Sequence, residues 1–141
     1  MSRHSLICRL GVLDNVKVVT RSGDQVTEIN FVAADKRLDF GLGNALDYLA
    51  GKGFEPSECA ADLLLLAGLL TAADTRIERS SESEDRWTRE INLHLPVADP
   101  KVWTAVALVL KKTLDFLTGD IWQLRFRPRP ANIRKLVPAP K

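Results

Sequence analysis

Apolar and polar residues alternate with a period of two at the start of the chain. Leu6, Cys8 and Leu10 interleave with Ile7 and Arg9. A β-branched run, Val16-Lys17-Val18-Val19-Thr20, follows Asp14-Asn15, and a third run over residues 25–32 follows Ser22-Gly23-Asp24. Short β-branched runs divided by Asp, Asn and Gly are hairpin signals, and they predict an antiparallel meander. In the third run Ile29 and Phe31 are expected to face the core, with Glu28 and Asn30 facing out.

The period then changes to that of a helix. Leu42, Ala45, Leu46 and Leu49 form one stripe of a short helix that Gly51 or Gly53 would end. Pro56-Ser57-Glu58 opens a longer helix, with proline and an acid where helix starts prefer them. Its body, residues 60–73, is apolar almost all round, which describes a helix buried on most of its circumference. Asp62, Asp74 and Arg76 are the exceptions. Residues 79–85 form a polar loop.

In the last third, Trp87, Arg89, Ile91, Leu93 and Leu95 share one face of a strand, and Thr88, Glu90, Asn92 and His94 share the other. Asp99 is a suitable N-cap with Pro100 at the first helical position. The helix after it is expected to turn Trp103, Val106, Leu110, Leu114 and Leu117 inward, with Gly119 as its left-handed cap. Residues 121–127 make a second strand with Trp122, Leu124 and Phe126 inward. A strand–helix–strand unit of this length suits a right-handed crossover.

These elements predict one α+β domain over residues 1–127. It comprises an N-terminal antiparallel β-meander, two central helices (one largely buried) and the strand–helix–strand unit, in a mixed or antiparallel sheet with helices on one face. Residues 128–141 place Pro128, Pro130, Pro138 and Pro140 among basic residues, the composition of a linker or tail.

Composition sharpens the class. The chain has 141 residues, 45% hydrophobic and 27% charged, near the globular average. A domain of this size hides roughly 68–70% of its unfolded surface, enough for a core without staples. Twenty basic residues against eighteen acidic ones give +2, which argues against a dedicated nucleic-acid binder. Cys8 and Cys59 are too few for a disulfide framework and lack zinc-site spacing. Met1-Ser2-Arg3-His4 leads into a strand-like segment rather than an apolar signal core, so no secretory signal is expected. The longest uncharged stretch, residues 63–73, is about half of what a bilayer span needs. A soluble, cytoplasmic protein with no membrane partner is the expectation.

Candidate chemistry is sparse. Gly41-Leu42-Gly43 lacks the preceding strand and the third glycine of a dinucleotide fingerprint. The nucleophile-elbow, zincin and Cys-x-x-Cys patterns are absent, and no metal site or cofactor is indicated. Four polar groups interrupt apolar patterns: Asp74 and Arg76 at the end of the long helix, Arg89 on the inward face of its strand, and Asp120 after the Thr118-Gly119 turn. A buried arginine needs a carboxylate or several carbonyls. The four therefore read first as a structural polar network, and second as an anion or partner pocket lined by Arg76 and Arg89. The expected contact surface for a partner is the 79–85 loop with Glu84 and Asp85, the strand face Thr88, Glu90, Asn92 and His94, and the basic run Arg125, Arg127 and Arg129. Two rival readings stay open. One is a nucleic-acid module using the arginine run, weakly supported by so few basic residues. The other is a small enzyme with Asp74 and His94 as acid–base groups.

Four separated stretches carry a family likeness: Thr71-Ala72-Ala73-Asp74-Thr75-Arg76-Ile77; Trp87-Thr88-Arg89-Glu90-Ile91; Leu95-Pro96-Val97-Ala98-Asp99-Pro100 with Trp103; and Leu114-Asp115-Phe116-Leu117-Thr118-Gly119-Asp120-Ile121-Trp122 running to Phe126-Arg127-Pro128-Arg129. In order and spacing this series resembles the N-terminal region of 7-cyano-7-deazaguanine synthase-like (QueC-like) proteins of bacterial antiphage defence operons, over residues 6–130. In that family the region precedes a PP-loop ATP-pyrophosphatase domain with the signature Ser-Gly-Gly-x-Asp-Ser. That signature and the family's zinc-binding cysteines are both absent from this chain. The resemblance therefore implies a non-catalytic accessory domain. ATP and zinc would belong to the QueC-like catalytic domain in cis, and a defence-operon protein would be partner or acceptor.

Overall fold

A computed structural model describes residues 3–77 and 88–140. The elements run β1 (Arg3–Arg9), β2 (Gln25–Asn30), α1 (Leu42–Gly51), α2 (Glu58–Arg76), β3 (Glu90–Val97), α3 (Pro100–Thr118) and β4 (Ile121–Pro128). The four strands form one sheet in the order β2-β1-β3-β4, and every neighbouring pair is parallel.

This corrects the expected meander and the mixed or antiparallel sheet. The run Val16–Thr20 is not a strand. Parallel strands need a crossover rather than a hairpin, and residues 10–24 supply one without a helix. Side chains of β1 pin it down: Arg9 donates to the Val16 carbonyl at 2.6 Å and Arg3 to the Ser22 carbonyl at 2.8 Å. At its start, the Leu10 N–H donates to Asp14 at 2.8 Å. The turn residues thus bend a crossover and do not close a hairpin.

Parallel register places paired residues on the same face. Cys8 pairs Ile29, Leu6 pairs Leu93, and Ile91, Leu93 and Leu95 pair Trp122, Leu124 and Phe126. That face forms the core with Leu65, Leu66, Leu69 and Ala73 of α2 and Leu46 of α1. Ser57 caps α2 by accepting from the Ala60 N–H at 3.0 Å. Asp99 caps α3, and Gly119 ends it at φ 75°.

The inward stripe of α3 differs from the expected one. Trp103 is buried against Phe126, with ring centroids 5.5 Å apart. Leu110 and Leu114 are half-buried, whereas Val106 and Leu117 are exposed. The helix is apolar on so many positions that its period does not choose a face; the Trp103 contact does.

Proline keeps residues 129–140 out of helix and strand, yet this segment packs onto the domain, burying Arg129, Ile133 and Val137. Among the described residues, no helix is long and apolar enough to cross a membrane.

Candidate functional site

Alternate residues of the strands point to the face opposite the core. Register aligns Ser5, Asn92 and Gln123 in one row, and Ile7, His94 and Arg125 in the next. Arg127 lies beyond them, opposite Pro96. The strand face expected to meet a partner (Glu90, Asn92 and His94 with Arg125 and Arg127) is thereby gathered on one side of the sheet. Thr88 is half-buried just before β3, while Glu84 and Asp85, with the rest of the 79–85 loop, lie outside the described residues.

Asn92 and His94 are buried rather than solvated, at 6% and 7% exposure. They belong to a central strand, and Asp24 on the crossover lies over the neighbouring β1, where it accepts from Arg3 at 2.8 Å and Ser5 at 2.9 Å. Burial works against the Asp24 charge, but these two hydrogen bonds outweigh it and hold its carboxyl below the usual range. The charged half of this face is therefore largely self-paired. Arg9 bonds Glu28 at 2.9 Å, and Arg127 bonds Asp14 at 2.7 Å and the Cys8 carbonyl at 3.0 Å. Arg125 alone of the basic run is exposed.

Burial first, then the charges of Arg125 and Arg127, lowers the His94 pKa; Asp24 opposes them and Arg9 adds to them. The folded state thus prefers neutral imidazole. Above the unfolded value near 6.5, both states are neutral and the preference costs nothing. As pH falls through that value toward the lower folded one, only the unfolded chain gains the proton, and stability is lost. His94→Gln, which cannot titrate, should flatten the fall in melting temperature as pH drops below 6.5. Parallel melting curves for the two proteins would refute this assignment.

At the amino end of the sheet, Arg89 joins the end of α2 to the α3–β4 turn. It donates to Asp120 at 2.7 Å, Asp74 at 3.1 Å and the Ile77 carbonyl at 2.7 Å. Three of the four expected network residues meet here. Arg76 does not: it is exposed and lines a separate groove.

Arg129, expected on the contact surface, is instead buried at 2% exposure, where it pairs with Asp62 at 2.7 Å and Glu58 at 2.5 Å. This second buried network was not anticipated as a unit. Its one sequence signal was Asp62, a carboxylate inside an apolar helix, but its partner lies 67 positions away.

Asp74 flanks the Arg89 network and His94 lies on the opposite face of the sheet, so the two do not meet. Burial pushes the Cys8 thiol up to about 12, far from a reactive thiolate. Among the described residues, no group of three His, Cys, Asp or Glu could hold a metal ion. No family model, curated protein or solved structure matches the chain.

Proposed function

We propose that this chain is a non-catalytic protein-recognition domain, accessory to a QueC-like, ATP-dependent enzyme that handles deazapurines in antiphage defence. The family likeness supplies the enzyme. The observation that supports recognition is a stripe on α3: Val102, Val106, Val109, Phe116 and Leu117 are all exposed, Phe116 by 88%. Single exposed apolar residues are ordinary, but a contiguous stripe marks a contact surface. The helix that carries it packs on β4, an edge strand with no outer neighbour among the described residues. An exposed apolar helix stripe is the surface that a docked domain would cover. ATP and zinc belong, in this reading, to the catalytic domain and not to this chain.

The nucleic-acid reading weakens, because Arg127 and Arg129 are engaged by Asp14, Glu58 and Asp62. The test mixes the purified chain with a QueC-like PP-loop catalytic domain encoded beside it. Binding by calorimetry is expected, and Phe116→Asp should weaken it at least about tenfold, or about 1.4 kcal/mol, without lowering the melting temperature. No binding, or binding indifferent to Phe116→Asp, would refute the reading.

A further inference from the structure

The opposite edge of the sheet carries a different surface. A groove of about 440 Å³ runs between α2 and β2, with Ile29 and Phe31 on the strand side and Leu64, Ala67 and Thr71 on the helix side. Its helix wall is apolar by construction. The Thr71 hydroxyl donates to the Ala67 carbonyl at 2.9 Å and the Thr75 hydroxyl to the Thr71 carbonyl at 3.0 Å, so both are spent on the helix itself. Gly68 sets the depth. A Cβ there would stand 3.1 Å from the Phe31 ring, so glycine is what lets strand and helix approach this closely.

Phe40 forms the rim. It holds φ 58°, a left-handed backbone that is strained for a bulky residue, and strain of this kind collects at ligand clamps. The residue is 57% exposed, yet its ring stacks edge-on against Phe31 at 5.2 Å. At the far end of the groove stands Arg76, whose side chain pairs with no acid among the described residues. Arg89, Arg127 and Arg129, by contrast, each pair with a carboxylate.

The outer side of β2 is open as well. The Phe31 N–H donates to Arg9 of β1, so the alternate residues Val26 and Glu28 turn their backbone N–H and C=O groups outward. No strand pairs with them among the described residues.

A strand edge and a terminal cation without partners among the described residues, with an apolar groove between them, match β-strand addition. Main-chain hydrogen bonds would then supply affinity, and alternate side chains would enter the groove. We infer that this groove binds an extended peptide segment with apolar side chains at alternate positions and a carboxylate that meets Arg76. The carboxylate could be a chain terminus or an Asp or Glu side chain. This surface lies at the sheet edge away from α3 and β4, so it stands or falls independently of the docking proposed above.

The test pans the whole chain against displayed random peptides with free C-termini, then measures synthetic peptides by fluorescence anisotropy. Enriched peptides should share the apolar alternation and the carboxylate. Ala67→Trp, which fills the groove from an exposed helix position, and Arg76→Glu should each weaken them at least about tenfold. Amide exchange at Val26 and Glu28 should slow on binding. Loss of affinity on C-terminal amidation assigns the carboxylate to the terminus, and loss on replacing an Asp or Glu assigns it to a side chain. Indifference to both overturns the role of Arg76. No enrichment, or enriched peptides that bind Ala67→Trp as well as the parent, overturns the site. Self-association without peptide that Ala67→Trp abolishes would make a second copy the occupant, and would also overturn it. Should Ala67→Trp fail to fold, Arg76→Glu carries the same comparison.

Discussion

Replacing Arg89 by alanine should lower stability by about 3–5 kcal/mol, the usual cost of breaking a buried ion pair from one side. For a chain of this size that corresponds to a fall in melting temperature of about 10 °C or more. Arg89 is 1% exposed and Asp120 is 2% exposed. Without the guanidinium, Asp120 keeps a charge in the interior but loses the two hydrogen bonds from the Arg89 side chain, while the Arg89 backbone N–H, at 3.0 Å, still donates to it. The Ile77 carbonyl loses its donor as well. Arg89→Lys keeps the charge but not the planar fork that reaches Asp120, Asp74 and Ile77 together, so it should fall between wild type and alanine. Asp74 contributes less, since its side chain is 70% exposed; Asp74→Ala should cost about 1 kcal/mol or less. Adding Asp120→Ala to Arg89→Ala should recover part of the loss, because the buried charge that lost its guanidinium is then gone. A melting curve for Arg89→Ala that overlays wild type would show that the pairing does not support the fold.

Arg89 also marks how far the sequence could be read. An arginine between inward-facing positions of a strand demanded a carboxylate, and Asp74 and Asp120 were the acids at hand. Arg76, two positions from Asp74, was drawn into the same group by proximity along the chain. On a helix that offset turns it about 200° round the axis, onto the groove side. The caps of α3 were legible because capping is local chemistry: Asp99 and Gly119 act within a few residues of themselves, whereas at α2 the proline and acid marked the start and the structure adds Ser57 as the cap. Strand direction was not legible, because it depends on what residues 10–24 do after each turn. Asp14-Asn15 and Ser22-Gly23-Asp24 bend the chain in a hairpin and in a crossover alike. What distinguishes the two is Arg3, Ser5 and Arg9 reaching from β1 to hold the loop. The alternation in β3 separated two faces correctly but did not reveal that both are buried. A central parallel strand is covered on both sides, and polar residues such as Asn92 and His94 then lie inside.

The same limit hid the network whose loss should be the most damaging. Asp62, 0% exposed, serves three donors at once: the Ala98 N–H at 3.0 Å, the Trp103 indole N–H at 3.1 Å and Arg129 at 2.7 Å. It therefore ties α2 to the loop after β3, to the first turn of α3 and to the C-terminal segment. Its neighbour one turn earlier, Glu58, continues the tie by accepting from the Leu136 N–H at 2.9 Å and the Val137 N–H at 3.1 Å. Burial opposes the Glu58 charge, yet these hydrogen bonds and Arg129 outweigh it and lower its pKa. Asp62→Ala takes one of its two carboxylates from the buried Arg129, which keeps Glu58, and removes the acceptor of the buried Trp103 indole N–H, so a loss toward the upper end of about 3–5 kcal/mol is expected. Asp62→Asn retains an acceptor but not the charge opposite Arg129 and should lose less. A readout specific to the C-terminal segment separates this from general destabilisation. Arg134 and Lys135 are exposed but held near α2 by Arg129 and Glu58. At a temperature where both proteins remain folded, trypsin should cut after these residues faster in Arg129→Ala than in wild type, while cleavage in β3 and α3 stays slow. Equal rates at Arg134 and Lys135 would mean that the segment is held by Ile133 and Val137 alone, and that the arginine only repairs its own burial.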